Sequence, residues 1–204
     1  MRIRHPIASV RPSLPRPILQ PLARAAAVVL LGLLSLPGAA LRATTLARME
    51  LKDLVRQSTY VVRARCLATS FLTSSTQVWT LSTFTVTETW KGNLSSPFVV
   101  RLPGGELGGL RVAVEGAPRF TPREDVVLFL IPNASGQMNV VGWLQGTFRI
   151  RRNLRTGAPS AVQDTAGLRL FSPRSGNSSF GALRQFSLAD LRARVASVLE
   201  EVRQ

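Results

Sequence analysis

Histidine and cysteine each occur once in the 204 residues, as His5 and Cys66, and lysine only twice, as Lys52 and Lys91. One cysteine cannot form an internal disulfide, and two Cys/His side chains fall short of the four ligands of a structural zinc site. Aromatic residues make up only 6% of the chain. No uncharged apolar run reaches the roughly 18 residues that mark a membrane-spanning helix. Hydrophobic content is nonetheless 45%, which excludes a disordered chain. The length suits one domain of ordinary size, or one domain with a short extension.

Arginine is what the chain has in abundance. It supplies 24 of the 26 basic residues, against 11 acids, for a net charge of +15. Such a balance invites a nucleic-acid reading, so the position of the charge matters. Arg2, Arg4, Arg11, Arg16, Arg24 and Arg42 all precede residue 44. Among them runs Ala25 to Leu36, AAAVVLLGLLSL, then Pro37-Gly38 and small residues. A basic segment, a short apolar run and a small-residue stretch predict a secretory signal peptide over residues 1–43. Twelve helical residues would span about 18 Å, well short of a hydrocarbon core of about 30 Å, so no stable membrane span is expected after the leader is cut. Cleavage falls between residues 40 and 43, with Ala43 the favoured position, and the protein is expected to be secreted or periplasmic. No cysteine lies near that region, so no lipid anchor is expected. The remaining 161 residues carry eighteen Arg and two Lys against eleven acids, a net +9, and no histidine.

A chain without histidine has no imidazole base for Ser-His-Asp or Cys-His catalysis. It also lacks the usual ligand of catalytic zinc and non-haem iron. Paired-carboxylate hydrolysis, as in glycosidases, needs neither. Glu88, Glu106, Glu115, Glu124, Asp125 and Asp164 are available for it, but none sits in a motif. No catalytic residue, metal ligand or cofactor is therefore assigned, and the chain reads as a non-enzyme.

Residues 46–57 space Leu51, Leu54 and Val55 as a short helix does. From Thr59 to Ala68 the period changes to two, with Val62, Ala64 and Cys66 on one side and Arg63 and Arg65 on the other, as in a half-buried strand. Cys66 on the apolar side reads as a small buried hydrophobe. Residues 70–76 read as a polar turn. Gln77 to Trp90 reads as one long strand, with a bulge or strong bend near Ser82-Thr83 to reconcile Trp79 and Leu81 with Phe84 and Val86. Lys91-Gly92-Asn93 is a turn, and Pro97 to Leu102 a strand.

Residues 103–120 hold Gly104, Gly105, Gly108, Gly109 and Gly116 and read as a hairpin or loop built on positive φ angles. With Glu106, the first four of these glycines form a candidate partner-binding loop. Asp125 to Ile131, apolar on both faces, should be a central strand. Met138 to Trp143 and Gly146 to Arg152 follow as strands, residues 160–171 as a last hairpin, and 172–186 as a loose connector. Ser187 and Asp190 cap a final amphipathic helix over 187–204, whose apolar stripe would dock on the barrel or on a partner. Asn93, Asn133 and Asn177 are Asn-x-Ser/Thr sequons. This order divides the chain into a leader (1–43), a barrel domain with a leading helix (44–171), a connector (172–186) and a helix (187–204). The expected fold is mainly β: a small OB-like barrel flanked by two helices.

The segments QSTYVVRARCLA (57–68), STFTVTETWKG (82–92), REDVVLFLI (123–131) and MNVVGWLQGTFRI (138–150) resemble netrin-type OB-fold modules, the class that includes the domain of tissue inhibitors of metalloproteinases. Lys91-Gly92 matches the end of that family's long strand, Tyr60 replaces its usual acid, and Glu124-Asp125 stands where Gly-Glu is expected. With RLPGGELGG and QGTFRI, the same stretches are similar to a set of uncharacterised secreted bacterial proteins. Metalloproteinase inhibitors of that class use an N-terminal cysteine to chelate the enzyme's zinc, and several disulfides. The expected terminus here is Thr44 and Cys66 is alone, so the resemblance implies the fold and not the inhibitory mechanism.

Four functions follow. The first is a non-enzymatic secreted module that binds a protein or an envelope polymer. The second is binding of an anionic polymer or oligonucleotide through a basic face of Arg63, Arg65, Arg149 and Arg151, with stacking on Trp79 or Trp90; secretion argues against nucleic acid. The third is protease inhibition by insertion of the 103–118 loop, and the fourth a carboxylate-based hydrolase.

Overall fold

A computed structural model describes residues 45–74 and 77–203 of the chain. The expected leader, its cleavage point and His5 lie outside the described residues. Strand accounts for 50% and helix for 17% of the described residues, and five strands close into a barrel, so the mainly β fold with two flanking helices is the observed one.

The elements in chain order are β1 (Thr45–Ala47), α1 (Leu51–Gln57), β2 (Tyr60–Ser74), β3 (Gln77–Lys91), β4 (Phe98–Pro103), β5 (Gly105–Leu107), β6 (Leu110–Val112), β7 (Asp125–Pro132), β8 (Met138–Val140), a 3-10 turn (Trp143–Gly146), β9 (Thr147–Arg152), β10 (Pro159–Asp164), β11 (Arg169–Phe171), β12 (Ser178–Phe180), β13 (Leu183–Ser187) and α2 (Leu188–Arg203). The barrel circuit is β2-β3-β4-β8-β7 and back to β2. Every contact in it is antiparallel except β4 with β8, which run parallel at Val100 and Met138. Numbered within the barrel, the circuit is first, second, third, fifth, fourth, the Greek-key order of an OB-type barrel. The sheet continues past β7 through β9, β10 and β13.

Two cores result, and β2 and β7 belong to both. Inside the barrel lie Val62, Ala64 and Cys66 of β2, Phe84 of β3, Phe98, Val100 and Leu102 of β4, and Val126, Leu128 and Leu130 of β7. The alternate residues Val61, Val127 and Phe129 face outward into a second core with Leu54 and Val55 of α1, Phe148 and Ala161, and Leu191 and Val195 of α2. A strand that fills a core on each side must be apolar on each side, which accounts for the DVVLFLI run. Each large apolar side chain so buried stabilises the fold by about 1.5–3 kcal/mol. The stripe on α2 thus docks on the barrel's outer sheet, and the Asp190 N–H donates to Ser187 Oγ at 2.9 Å, as a capping serine requires.

Several local readings change. The helix starts at Leu51 rather than residue 46, because Thr45–Ala47 pairs parallel with β11. Buried Gln145 holds this segment: Met49 N–H donates to its Oε1 at 2.8 Å, and its Nε2 donates to Ala47 O at 2.9 Å. Residues 70–74 are strand and not turn, because β2 and β3 pair as far as Ser74 and Gln77. The inward phase of β3 holds through Val78, Ser82 and Phe84, with Trp79 and Leu81 partly exposed on the other side, so no bulge is needed at Ser82-Thr83. Register shifts occur between Val61 and Val62, Arg63 and Ala64, and Cys66 and Ala68; the last falls opposite Phe84 and Thr83, with the extra residue on β2 rather than β3. β8 ends at Val140, where Gly142 (φ 63°) turns the chain into the 3-10 segment. Residues 160–171 form no hairpin: β10 pairs with β9 and β13, while β11 pairs with β1 and β12. The connector 172–186 contains both β12 and most of β13. These are polar edge strands, formed by the backbone of a neighbour rather than by apolar alternation.

Candidate functional site

Two regions of the barrel surface gather the side chains able to meet a ligand, and they are built differently. The first lies where β7 begins. Glu124, just before the strand, and Asp125, its first residue, reach two different arginines. Arg63 donates to both Asp125 oxygens, Nε to Oδ1 at 3.1 Å and Nη2 to Oδ2 at 2.5 Å. Arg149 donates through Nε to Glu124 Oε1 and through Nη2 to Arg119 O, both at 2.6 Å. The Asp125 bond raises the pKa of the Arg63 guanidinium and keeps it charged despite partial burial. Arg65, Arg123, Arg149, Arg151 and Arg152 line an open concavity of about 310 Å³ around these carboxylates. Arg123 has φ 74°, held there by its N–H bond to Cys66 O at 2.8 Å.

Of the four arginines read as a basic face, Arg63 and Arg149 are therefore spent on internal ion pairs, and Arg65 and Arg151 are exposed. No aromatic side chain lines this concavity. Trp90, the second proposed stacking platform, packs against the outer core with its Nε1 buried and unpartnered.

The second region is a groove of about 670 Å³ on the outside of β3, β4 and β8. Phe98, Val100 and Leu102 of β4 point inward, so Arg101 points out. Leu81 pairs with Arg101 and Trp79 with Pro103, which sets Trp79 diagonally beside Arg101. The guanidinium carbon lies 3.9 Å from the Trp79 ring centroid. Its Nε is buried with no hydrogen-bond partner among the described residues. Asn139 projects outward between inward-facing Met138 and Val140. Asn133 Oδ1 accepts from the N–H groups of Ser135 and Gln137 at 2.9 and 3.0 Å, so what it offers a ligand is its NH2 group. Trp143 closes one end of the groove. It holds φ 56°, an uncommon backbone for a bulky residue, fixed by Thr147 Oγ1 donating to its carbonyl at 3.1 Å. Sequence reasoning singled out Trp79 but not Arg101 or Trp143. The strand parity of FVVRLP, with one charge on its outward phase, carried the signal for Arg101.

The glycine-rich segment is the β5–β6 hairpin. Gly108 and Gly109 make its turn with φ 58° and 80°, the left-handed pair of a two-residue hairpin. Glu106 lies on β5, paired with Arg111. Gly104 and Gly105 lie at the strand junction, where Gly104 N–H bonds Val78 O at 2.8 Å. Lys91-Gly92 is structural: Lys91 Nζ donates to the carbonyls of Val55, at 2.6 Å, and Ser58, capping α1, and burial pulls its pKa down. Cys66 is 1% exposed inside the barrel, and burial pushes its thiol pKa up.

Among the described residues, no cluster of three or more His, Cys, Asp or Glu side chains could hold a metal ion, and no helix is long and apolar enough to cross a membrane. No protein-family model and no curated protein matches the chain.

Proposed function

We propose that the protein is a secreted or periplasmic, non-enzymatic binding module whose ligand surface is the groove over β3, β4 and β8. One observation carries this reading: the Arg101 guanidinium carbon lies 3.9 Å from the Trp79 ring centroid, and no carboxylate pairs with it among the described residues. A guanidinium without a carboxylate partner keeps its Nη donors for an outside group. The aromatic, cationic and amide lining supplies stacking and directed hydrogen bonds in one concavity, the usual composition of a ligand site. The netrin-type resemblance and the OB-type strand circuit are consistent with a binding role, since such barrels bind polymers on the outer face of the second and third strands. Here those strands are β3 and β4.

Retention of the purified protein on immobilised envelope polymers and on extracts of secreted proteins tests the proposal. Retention that disappears in Trp79→Ala while the variant still melts cooperatively is the expected result. Retention unchanged in that variant would place the ligand surface elsewhere.

A further inference from the structure

We infer that the groove recognises a carboxylate-bearing saccharide, resting on the binding reading above and going further to name the ligand class. Among its described lining residues Arg101 is the one charged side chain, and no carboxylate is present. A single cation suits a ligand with one anionic group per binding stretch. A polyphosphate or an oligonucleotide presents a charge at every unit, and this groove has no second cation to meet the next one. The fork of a guanidinium matches the two oxygens of a carboxylate. The contact with Trp79 restricts the guanidinium before a ligand arrives, which lowers the ordering cost of binding.

The remaining lining argues for a sugar rather than a peptide. A peptide bound by strand addition gains its affinity by pairing with an open strand edge. The groove instead lies across the face of paired strands, with Trp79 and Arg101 matched to β4 and β3 positions and Asn139 matched to Ile131 of β7. Recognition there runs through side chains alone. Asn133, Asn139 and Gln77 offer amides that pair with hydroxyl and acetamido groups, and the indole of Trp143 offers an apolar surface to the C–H face of a pyranose. The arginine-lined concavity at the start of β7 is the poorer candidate, because its several arginines suit a more highly charged anion and it has no aromatic or amide side chain to meet a sugar ring.

The test uses protein purified from cells expressing the full chain. Fragments of polygalacturonate, of hyaluronate and of a muramic-acid-bearing glycan are each titrated beside the carboxyl-reduced counterpart, by calorimetry and by tryptophan fluorescence. The expected result is that at least one acidic fragment binds about tenfold or more tighter than its reduced form. Arg101→Met should erase that preference, and Arg101→Lys should restore only part of it, since an ammonium lacks the fork. A preference that survives Arg101→Met, or no preference in any of the three pairs, overturns the inference. Trp79-dependent binding of reduced and acidic forms alike would sink the inference and leave the groove standing. Loss of any Trp79-dependent binding would remove both. Tighter binding of an oligonucleotide or an acidic peptide at Arg101 would replace the saccharide with that class.

Discussion

Arg63 and Arg149 sit 2.5 and 2.6 Å from a carboxylate, while Arg101, on the outer face of the same barrel, faces an indole and no acid. All three guanidinium groups are partly buried, so all three have given up some water. For Arg63 and Arg149 that loss is offset by full charge pairing, and these two have become part of the scaffold, whereas Arg65, Arg123, Arg151 and Arg152 beside them pair with no carboxylate among the described residues. In the groove it is offset only by the ring quadrupole of Trp79, worth about 0.5–2 kcal/mol, which leaves the positive charge uncancelled. What distinguishes the two regions is that the groove joins one arginine to aromatic and amide side chains, while the concavity at the start of β7 gathers arginines and carboxylates with no aromatic side chain.

The comparison breaks first at Asp125. Asp125→Ala leaves Arg63 half-buried without its partner. Loss of one member of a fully buried pair costs about 3–5 kcal/mol, and partial exposure here reduces that to about 2 kcal/mol, read as a lower denaturant midpoint with the slope unchanged. Groove binding should stay intact in this variant. Trp79→Ala should do the reverse, weakening ligand retention by about tenfold or more while costing stability about 1 kcal/mol or less. Gly109→Ala is a control outside both regions: at φ 80° a Cβ costs about 1–2 kcal/mol locally, with no clash and no effect on binding.

Smaller still is Arg101→Met, which should change the unfolding free energy by no more than about 0.5 kcal/mol, because no protein partner is orphaned by it. A loss as large as that of Asp125→Ala would erase the distinction between the two regions. The smallest effect concerns Cys66. Burial raises its folded pKa, so the folded state holds the thiol proton more firmly than the unfolded one. The stability this contributes is complete below the ordinary value of 9.0 and falls away as pH rises above it. Thermal melts of wild type and Cys66→Ala between pH 8 and 10 should converge slightly as pH rises.

Much of the fold was legible because it rests on local period. Apolar residues on both faces of 125–131 require a strand between two cores, Ser187 three residues before Asp190 marks a helix start, and adjacent Gly108 and Gly109 mark a hairpin tip. The strands β1, β12 and β13 were not legible, since short exposed segments carry no alternation of their own and take strand form from a neighbour's hydrogen bonds. The phase of β3 was misread for a related reason. Trp79 and Leu81 look like core residues by composition, yet small Ser82 is the one that fits inside the barrel beside Thr69, 3.3 Å from its hydroxyl.

The amino-acid order alone determined the mainly β character, the capped terminal helix, the burial of Cys66 and the absence of histidine after residue 5. Each of these depends on residue type or on spacing within a few positions. Tertiary structure alone decided which arginines are neutralised. Arg63 meets Asp125 across 62 positions and Arg149 meets Glu124 across 25, while Arg101 finds Trp79 across an antiparallel ladder. The field at a charge depends on distance in space, and only strand pairing turns those separations into contacts of a few ångströms.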